Sequence, residues 1–208
     1  MSTIYTLNGK VLKNAANDKW LIKATPVDPY NPLGLPPFTI RCKFTSGYTP
    51  TMGDSQTLVD AGENVWDITK NSTDWGGLFG SNSSLLSILG ANTTGVTNMA
   101  TTFTWCTSLT SVPLFDTSKV TSMKDMFNEC RSLTTIPLFD TNKSTNMYEM
   151  FRYCYKVESG ALDLYRQAST QTTTVTSHFD TFAYCGIDTV TGSAELAQIP
   201  TSWGGTMA

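Results

Sequence analysis

The feature that most constrains this chain is a 24-residue repeat, three stretches of which end in the same Met, Phe and Cys skeleton. The stretches are 83–106, 107–130 and 131–154. They carry Met99, Phe103 and Cys106, then Met123, Phe127 and Cys130, then Met147, Phe151 and Cys154. A period of roughly 20 to 50 residues marks a solenoid, whose units bury their apolar faces only by stacking on neighbours. A chain of this kind points to a surface for recognition rather than to an active site.

The register runs beyond its clearest copies. Trp75, Phe79 and Asn82 lie 24 residues before Met99, Phe103 and Cys106, so 67–82 reads as a worn first unit. Downstream, Val175, His178, Phe182 and Cys185 restore the pattern after a spacing of 31, which implies seven inserted residues within 158–173. Insertions in such stacks are expected as loops on one side. Residues 186–208 read as a C-terminal cap, with Leu196, Ile199 and Trp203 as its apolar contribution.

Within 107–130, Leu109, Val112 and Leu114 suit a short strand in a parallel ladder. Asp116, Thr117 and Ser118 form a polar corner whose side chains can bond nearby amides. Val120, Met123, Phe127 and Cys130 recur at offsets of 0, 3, 7 and 10, which predicts one stripe of a short helix. Lys124, Asp125, Asn128 and Glu129 would then face water.

The run SLTSVPLFDTSKVTSMKDMFNEC resembles the BspA-type leucine-rich repeats, in the subtype of mycoplasma and Bacteroides surface proteins. The resemblance covers roughly 67–185. It implies a right-handed, curved, non-catalytic solenoid found on bacterial cell surfaces and associated with adhesion. The expected fold class is therefore a repeat solenoid, leucine-rich-repeat-like, with a short parallel strand plus a short helix in each 24-residue unit and a β-rich N-terminal cap. The expected organisation is a capping segment over 1–66, the solenoid over 67–185 and the C-terminal cap over 186–208.

In the N-terminal segment, 5–12 and 19–24 read as strands, with Asn8-Gly9 a turn signal in the first. A loop with Pro26, Pro29, Pro32, Pro36 and Pro37 follows. Phe38, Ile40, Cys42 and Phe44 then alternate with Thr39, Arg41, Lys43 and Thr45, as in a half-buried strand. Residues 56–68 supply a further strand, and the whole segment is expected to cover the first coil.

Charged residues make up only 15% of the chain, the net charge is −3, and no basic run would draw a nucleic-acid backbone. No stretch approaches the roughly 18 apolar residues of a membrane span. The first residues lack the continuous hydrophobic segment of a signal peptide. Five cysteines and a single histidine, with no C-x-x-C, fit neither a zinc site nor a redox pair. Cys106, Cys130, Cys154 and Cys185 are register positions and read as a ladder of buried free thiols, with a disulfide between rungs as the alternative. Cys42 reads as core on its alternating strand.

Catalytic signals are poor. No nucleophile elbow, zinc-protease helix or phosphate-cradling loop occurs, and His178 takes a place held elsewhere by Met or Trp. Asp116 and Asp140 repeat at 24, but the calcium nonapeptide is absent, so corner capping is the better reading. No cofactor is implied. Asn71, Asn82, Asn92 and Asn142 begin Asn-x-Ser/Thr triplets, which matter only in a glycosylating pathway.

For binding, the outward strand positions are Ser111, Pro113 and Phe115, then Thr135, Pro137 and Phe139. If both phenylalanines point out, they form a Pro/Phe column for sugar rings or an apolar protein patch; the alternative stacks them in the core. The insertion carrying Tyr165, Arg166 and Gln167 is the next candidate. These features lead to a non-enzymatic adhesion protein that binds a protein or glycan on a host or bacterial surface, without nucleic acid or membrane insertion. A phage or prophage tail-associated structural or receptor-binding protein is the alternative, which would place the chain in a virion or the cytoplasm. An enzyme is a third class.

Overall fold

The computed structural model describes residues 5–7, 10–12, 28–51, 56–171 and 175–207. β1 (Tyr5–Leu7) and β2 (Lys10–Leu12) pair antiparallel. The turn signal at 8–9 and the strand expected over 19–24 lie outside the described residues. β3 (Thr39–Phe44), β4 (Gln56–Gly62), β5 (Val65–Lys70) and β6 (Leu85–Asn92) form one antiparallel sheet in the order β4-β5-β3-β6. Two short helices, α1 (Ala161–Ser169) and α2 (Val190–Leu196), complete the regular elements, with a 3-10 turn at Thr201–Trp203.

The alternation in β3 fixes the sheet. Ile40, Cys42 and Phe44 are buried while Arg41 and Lys43 face outward, where Arg41 grips its cross-strand neighbour Asp67 through two bonds of 2.6 and 2.7 Å. Residues 56–68 are not one strand. They make a hairpin whose turn holds Glu63 and Asn64 at φ of 54 and 63°, the left-handed pair that matches strand twist. β3 pairs on its other edge with β6, and β6 in turn touches Ser111 through a parallel bridge at Ser87. The antiparallel sheet thus abuts the first of the repeated segments on their strand side.

The expected leucine-rich-repeat-like solenoid, with a parallel strand and a helix in every unit, is contradicted. The regular structure is a small four-stranded antiparallel sheet with two short helices. Between 93 and 160 no strand or helix is found; the predicted strands shrink to single parallel bridges such as Ser87 to Ser111 and Thr135 to Ser159. The predicted helical stripe is a run of turns. Met126, Asn128 and Cys130 donate their amides three residues back, to Met123, Asp125 and Phe127. The alternate amides of Met123, Asp125, Phe127 and Glu129 leave the segment altogether, donating to the carbonyls of Asn146, Tyr148, Met150 and Arg152 at 2.8–2.9 Å. A helix needs each of those amides for its own carbonyl four residues back, so the two arrangements exclude one another. The insertion is not a loop either: it contains α1.

What the repeat does set is the interior. Phe79, Phe103, Phe127, Phe151 and Phe182 lie in one file, with consecutive ring centroids 5.2–6.0 Å apart and planes within 9°. Each buried thiol of Cys106, Cys130 and Cys154 donates to the carbonyl of the file phenylalanine 27 residues earlier, at 3.1–3.2 Å. Exposed Thr97, Thr121, Thr145 and Thr176 hydroxyls likewise donate to the carbonyls of Thr73, Thr97, Thr121 and Thr145. Side chains of one type therefore repeat because one bond is made again at each level. In the first unit Asn82 replaces the thiol and bonds the Tyr48 hydroxyl instead. Leu196, Ile199 and Trp203 are buried at the other end, where Trp203 stacks on His178 at 4.2 Å.

All five cysteines are free and buried. Burial pushes the Cys106 thiol up to about 12 and lifts those of Cys42, Cys130, Cys154 and Cys185 well above their ordinary value. Unfolded thiols give up protons above the ordinary value of 9.0, whereas folded ones keep theirs. The folded state then binds more protons, so stability is full below that pH and falls as pH rises past it. We expect urea midpoints to drop above about pH 9. Cys130→Ala with Cys154→Ala should flatten that drop, and thiol reagents should label the wild type only on unfolding.

Candidate functional site

The strand-side candidates divide. Ser111 and Thr135 are exposed and Pro113 and Pro137 half-buried, so these four do share a surface. Phe115 and Phe139 do not join them: at 1% and 0% exposure they stack on each other at 5.6 Å and against Phe103 and Phe127. The preceding leucines take the outer place, Leu114 half-buried and Leu138 52% exposed. Burying a ring wide enough to reach the phenylalanine file removes more apolar surface than burying a leucine, which decides the orientation. A Pro/Phe column is therefore not available for binding. Thr135, exposed and with no side-chain bond among the described residues, should tolerate alanine within about 0.5 kcal/mol in a thermal melt.

The insertion candidates separate as well. Tyr165 packs edge-on against Trp203 at 5.5 Å and helps seat the C-terminal turn, while Arg166 is exposed beside Asp163 on α1. Gln167 reaches back to the Phe139 carbonyl and ties α1 to the neighbouring segment. Asp116 and Asp140 cap their corners by accepting from the amides of Ser118 and Asn142.

A different surface brings functional side chains together, and it arises from the turn run. Eight residues there have left-handed backbone: Thr101 and Trp105, Asp125 and Glu129, Glu149 and Tyr153, Asp180 and Tyr184, with φ of 52–64°. Such a conformation is unfavourable for non-glycine residues and persists where surrounding bonds over-determine it. For the first six of them the bonds are the alternate amides donated to the next segment, as Trp105 to Asn128 and Tyr153 to Ala183. The second residue of each pair stands immediately before a register cysteine; Trp105, Tyr153 and Tyr184 are held toward the surface there, while Glu129 is buried.

Trp105 and Tyr184 are 48% and 51% exposed, and Tyr153 is half-buried between its neighbours. Tyr153 stacks on Tyr184 at 5.1 Å and leans on Tyr155 at 5.9 Å. The Arg131 guanidinium lies over both Trp105 and Tyr155, 5.6 and 5.8 Å from their centroids, and Arg152 lies over Tyr153 at 4.6 Å. Beside them Tyr148 stacks on Phe179, which is 56% exposed, and Lys124 lies over Tyr148. The result is one continuous band of aromatic and cationic side chains.

The charges in the band are compensated from below. Glu129, buried at 7% exposure, holds Arg131 at 2.6 Å; Glu149 holds Arg152 at 2.6 Å; Lys124 sits 3.7 Å from Asp125. Asn128 bridges the stacked acids by donating to Asp125 and Glu149. Burial pushes the Asp125 carboxyl up, against the Asn128 bond and Lys124 that pull it down. The Arg131 guanidinium is raised by its bond to Glu129, and Glu149 pushes the Tyr148 phenol up. Two buried atoms on this edge, Asn128 Oδ1 and Arg152 Nε, have no bond among the described residues. Reading these positions as the wet side of a helix hid the band. The signal was present in the residues before Cys106, Cys154 and Cys185, which are Trp, Tyr and Tyr.

Among the described residues no helix is long and apolar enough to cross a membrane. No curated protein and no solved structure matches the chain. Residues 61–186, more than half of the chain and the part that contains both the phenylalanine file and the aromatic band, match the family described as "Mycoplasma protein of unknown function, DUF285". The chain belongs to that family.

Proposed function

We propose that this is a non-enzymatic interaction protein of the bacterial surface that adheres to a protein or glycan through the aromatic band on its turn side. The finer kinship, to BspA-type surface proteins of the mycoplasma and Bacteroides kind, is part of the proposal. The observation that carries it is the continuity of the band. Trp105, Arg131, Tyr155, Tyr153 and Tyr184 touch in sequence, and Trp, Tyr and Arg are the residue types that dominate binding energy at interfaces. The rings are held in place before any partner arrives, so little side-chain entropy is lost on binding.

The ring arrangement bears on the choice between a protein and a sugar. Tyr153 and Tyr184 cover one face of each other, and guanidinium groups cover one face of Trp105 and one of Tyr153, so part of the ring surface a pyranose would use is already taken. The internal pairing of Arg131, Arg152 and Lys124 leaves a weak net field, so binding should change little with salt.

The test is a screen of immobilised host-surface proteins and glycans with the wild type and with Trp105→Ala, Tyr153→Ala and Tyr184→Ala. A real ligand should bind each variant at least about tenfold more weakly, as expected for interface anchors. Ligands that bind all three variants as well as the wild type would place adhesion elsewhere. Hydrolysis of a screened glycan, lost on replacing His178, would instead revive an enzyme. Tail or baseplate genes beside the coding sequence would favour the phage reading.

A further inference from the structure

One level of the aromatic band breaks its own pattern. The position before each register cysteine holds Trp105, Glu129, Tyr153 and Tyr184, and the position after it holds Thr107, Arg131, Tyr155 and Gly186. The 129–131 level thus has an acid where the others have a ring. Glu129 carries left-handed backbone at φ 64°, and its amide crosses to the Arg152 carbonyl while the Arg131 amide turns back to the Glu129 carbonyl, both at 2.9 Å. This fold of the chain seats the buried Glu129 Oε2 against Arg131 Nε at 2.6 Å. The guanidinium then stands between Trp105 of the preceding level and Tyr155 of the following one. Three contacts hold the group, yet its Nη1 and Nη2 have no bond among the described residues, and the side chain is 48% exposed. The other arginines differ. Arg41 spends Nε and Nη2 on both oxygens of Asp67, Arg152 spends Nη1 on Glu149, and the Arg166 guanidinium on α1 has only Asp163 at 3.7 Å.

We propose that the Nη1/Nη2 fork of Arg131 takes a carboxylate of the partner: an aspartate or glutamate side chain of a protein segment whose apolar neighbours lie on Trp105 and Tyr155. The inference rests on the band as the adhesion surface and names what that surface selects. Two parallel N–H donors match the two oxygens of a carboxylate, a geometry that an ammonium group lacks. Charge is also sorted by depth. The side chains of Glu129 and Glu149 are 9% and 14% exposed, against 48% for Arg131 and Lys124, so a partner meets the cations first. The same pairing limits the ligand to one charge. Arg152 and Lys124 already face Glu149 and Asp125, so a phosphate or a polyanion finds no second free cation. Adjacent residues of a protein segment supply one carboxylate and apolar flanks together, whereas a sugar acid would need the ring faces of Trp105 and Tyr153 that guanidinium groups already cover. The rings and Glu129 fix the fork in advance, so little of its freedom is lost on contact.

The probe is an array of short immobilised peptides with a central glutamate between leucine, valine or tyrosine residues, beside the same array with central glutamine, exposed to the full chain. The best glutamate peptides should bind at least about tenfold more tightly than their glutamine counterparts. Arg131→Lys keeps a positive charge beside Glu129 but loses the fork, so its thermal melt should match the wild type while the preference for glutamate disappears. Arg166→Lys should bind as the wild type does. The glutamate and glutamine arrays are compared on the wild type alone, so that result stands even if Arg131→Lys lowers the melt. No binding to either array, or equal binding to both, would overturn the proposal. Equal binding that is lost in Trp105→Ala would still leave the band as the adhesion surface, whereas equal binding that Trp105→Ala keeps would remove the band as well. Sialyllactose bound in place of the peptides and lost in Arg131→Lys would assign the fork to a sugar acid and overturn the protein partner. A sedimenting dimer that Arg131→Lys dissociates would assign it to a second copy and overturn it equally.

Discussion

Phe127→Ala should lower stability by about 3–5 kcal/mol, the range for deleting a buried aromatic ring from a core that cannot collapse around the gap. Phe127 is fully buried and stacks on Phe103 and Phe151, each at 5.2 Å, with Phe139 at 6.0 Å on the flank. None of these rings can move in. The amides of Phe103 and Phe151 are donated across to Met126 and Thr181, and the Phe139 carbonyl is held by Gln167, so the cavity stays open. Urea unfolding of the variant against the wild type measures the effect, and Thr135→Ala is the control that should scarcely move. A small loss for Phe127→Ala would mean that the ring is not confined between its neighbours.

The second large effect is expected at Gly160, where the chain leaves Ser159 and enters α1. Its φ of 99° lies in the region that side chains avoid. A methyl group there would also run into the backbone carbonyl of Ile136, deep inside contact distance. Backbone cannot step aside as a flexible side chain can, so Gly160→Ala combines conformational strain with overpacking and should cost about 3 kcal/mol or more. The loss should be local at first. Gln167 would leave the Phe139 carbonyl and Tyr165 would leave Trp203, so hydrogen exchange should rise in α1 and the C-terminal turn before the phenylalanine file. Gly95→Ala is a useful contrast, since its φ of 92° is strained but its nearest neighbour is the Phe38 ring at 3.6 Å.

The sequence carried the vertical order of this molecule well. A spacing of 24 residues places Phe103 over Phe127 because one level of backbone bonding is completed in that many residues, and any side chain that pays off once is repeated. It carried the horizontal path poorly. Apolar residues at offsets of 0, 3, 7 and 10 suit one face of a helix, but they suit equally a run of turns whose alternate amides point away. What separates the two is the left-handed backbone at Asp125 and Glu129, and nothing in those residue types announces it. The strand side failed for a related reason: Leu114 and Phe115 are adjacent, and periodicity alone does not say which of the two turns in. The binding surface was missed because the positions before the register cysteines were read only as a solvated face, although Trp105, Tyr153 and Tyr184 share one register position there.

Direct observation of the cross-segment bonds tests this account more sharply than any variant. Nuclear couplings transmitted through hydrogen bonds should connect the amides of Met123, Asp125, Phe127 and Glu129 with the carbonyls of Asn146, Tyr148, Met150 and Arg152. Couplings from those amides to carbonyls four residues back in their own segment would show helices instead and would contradict it.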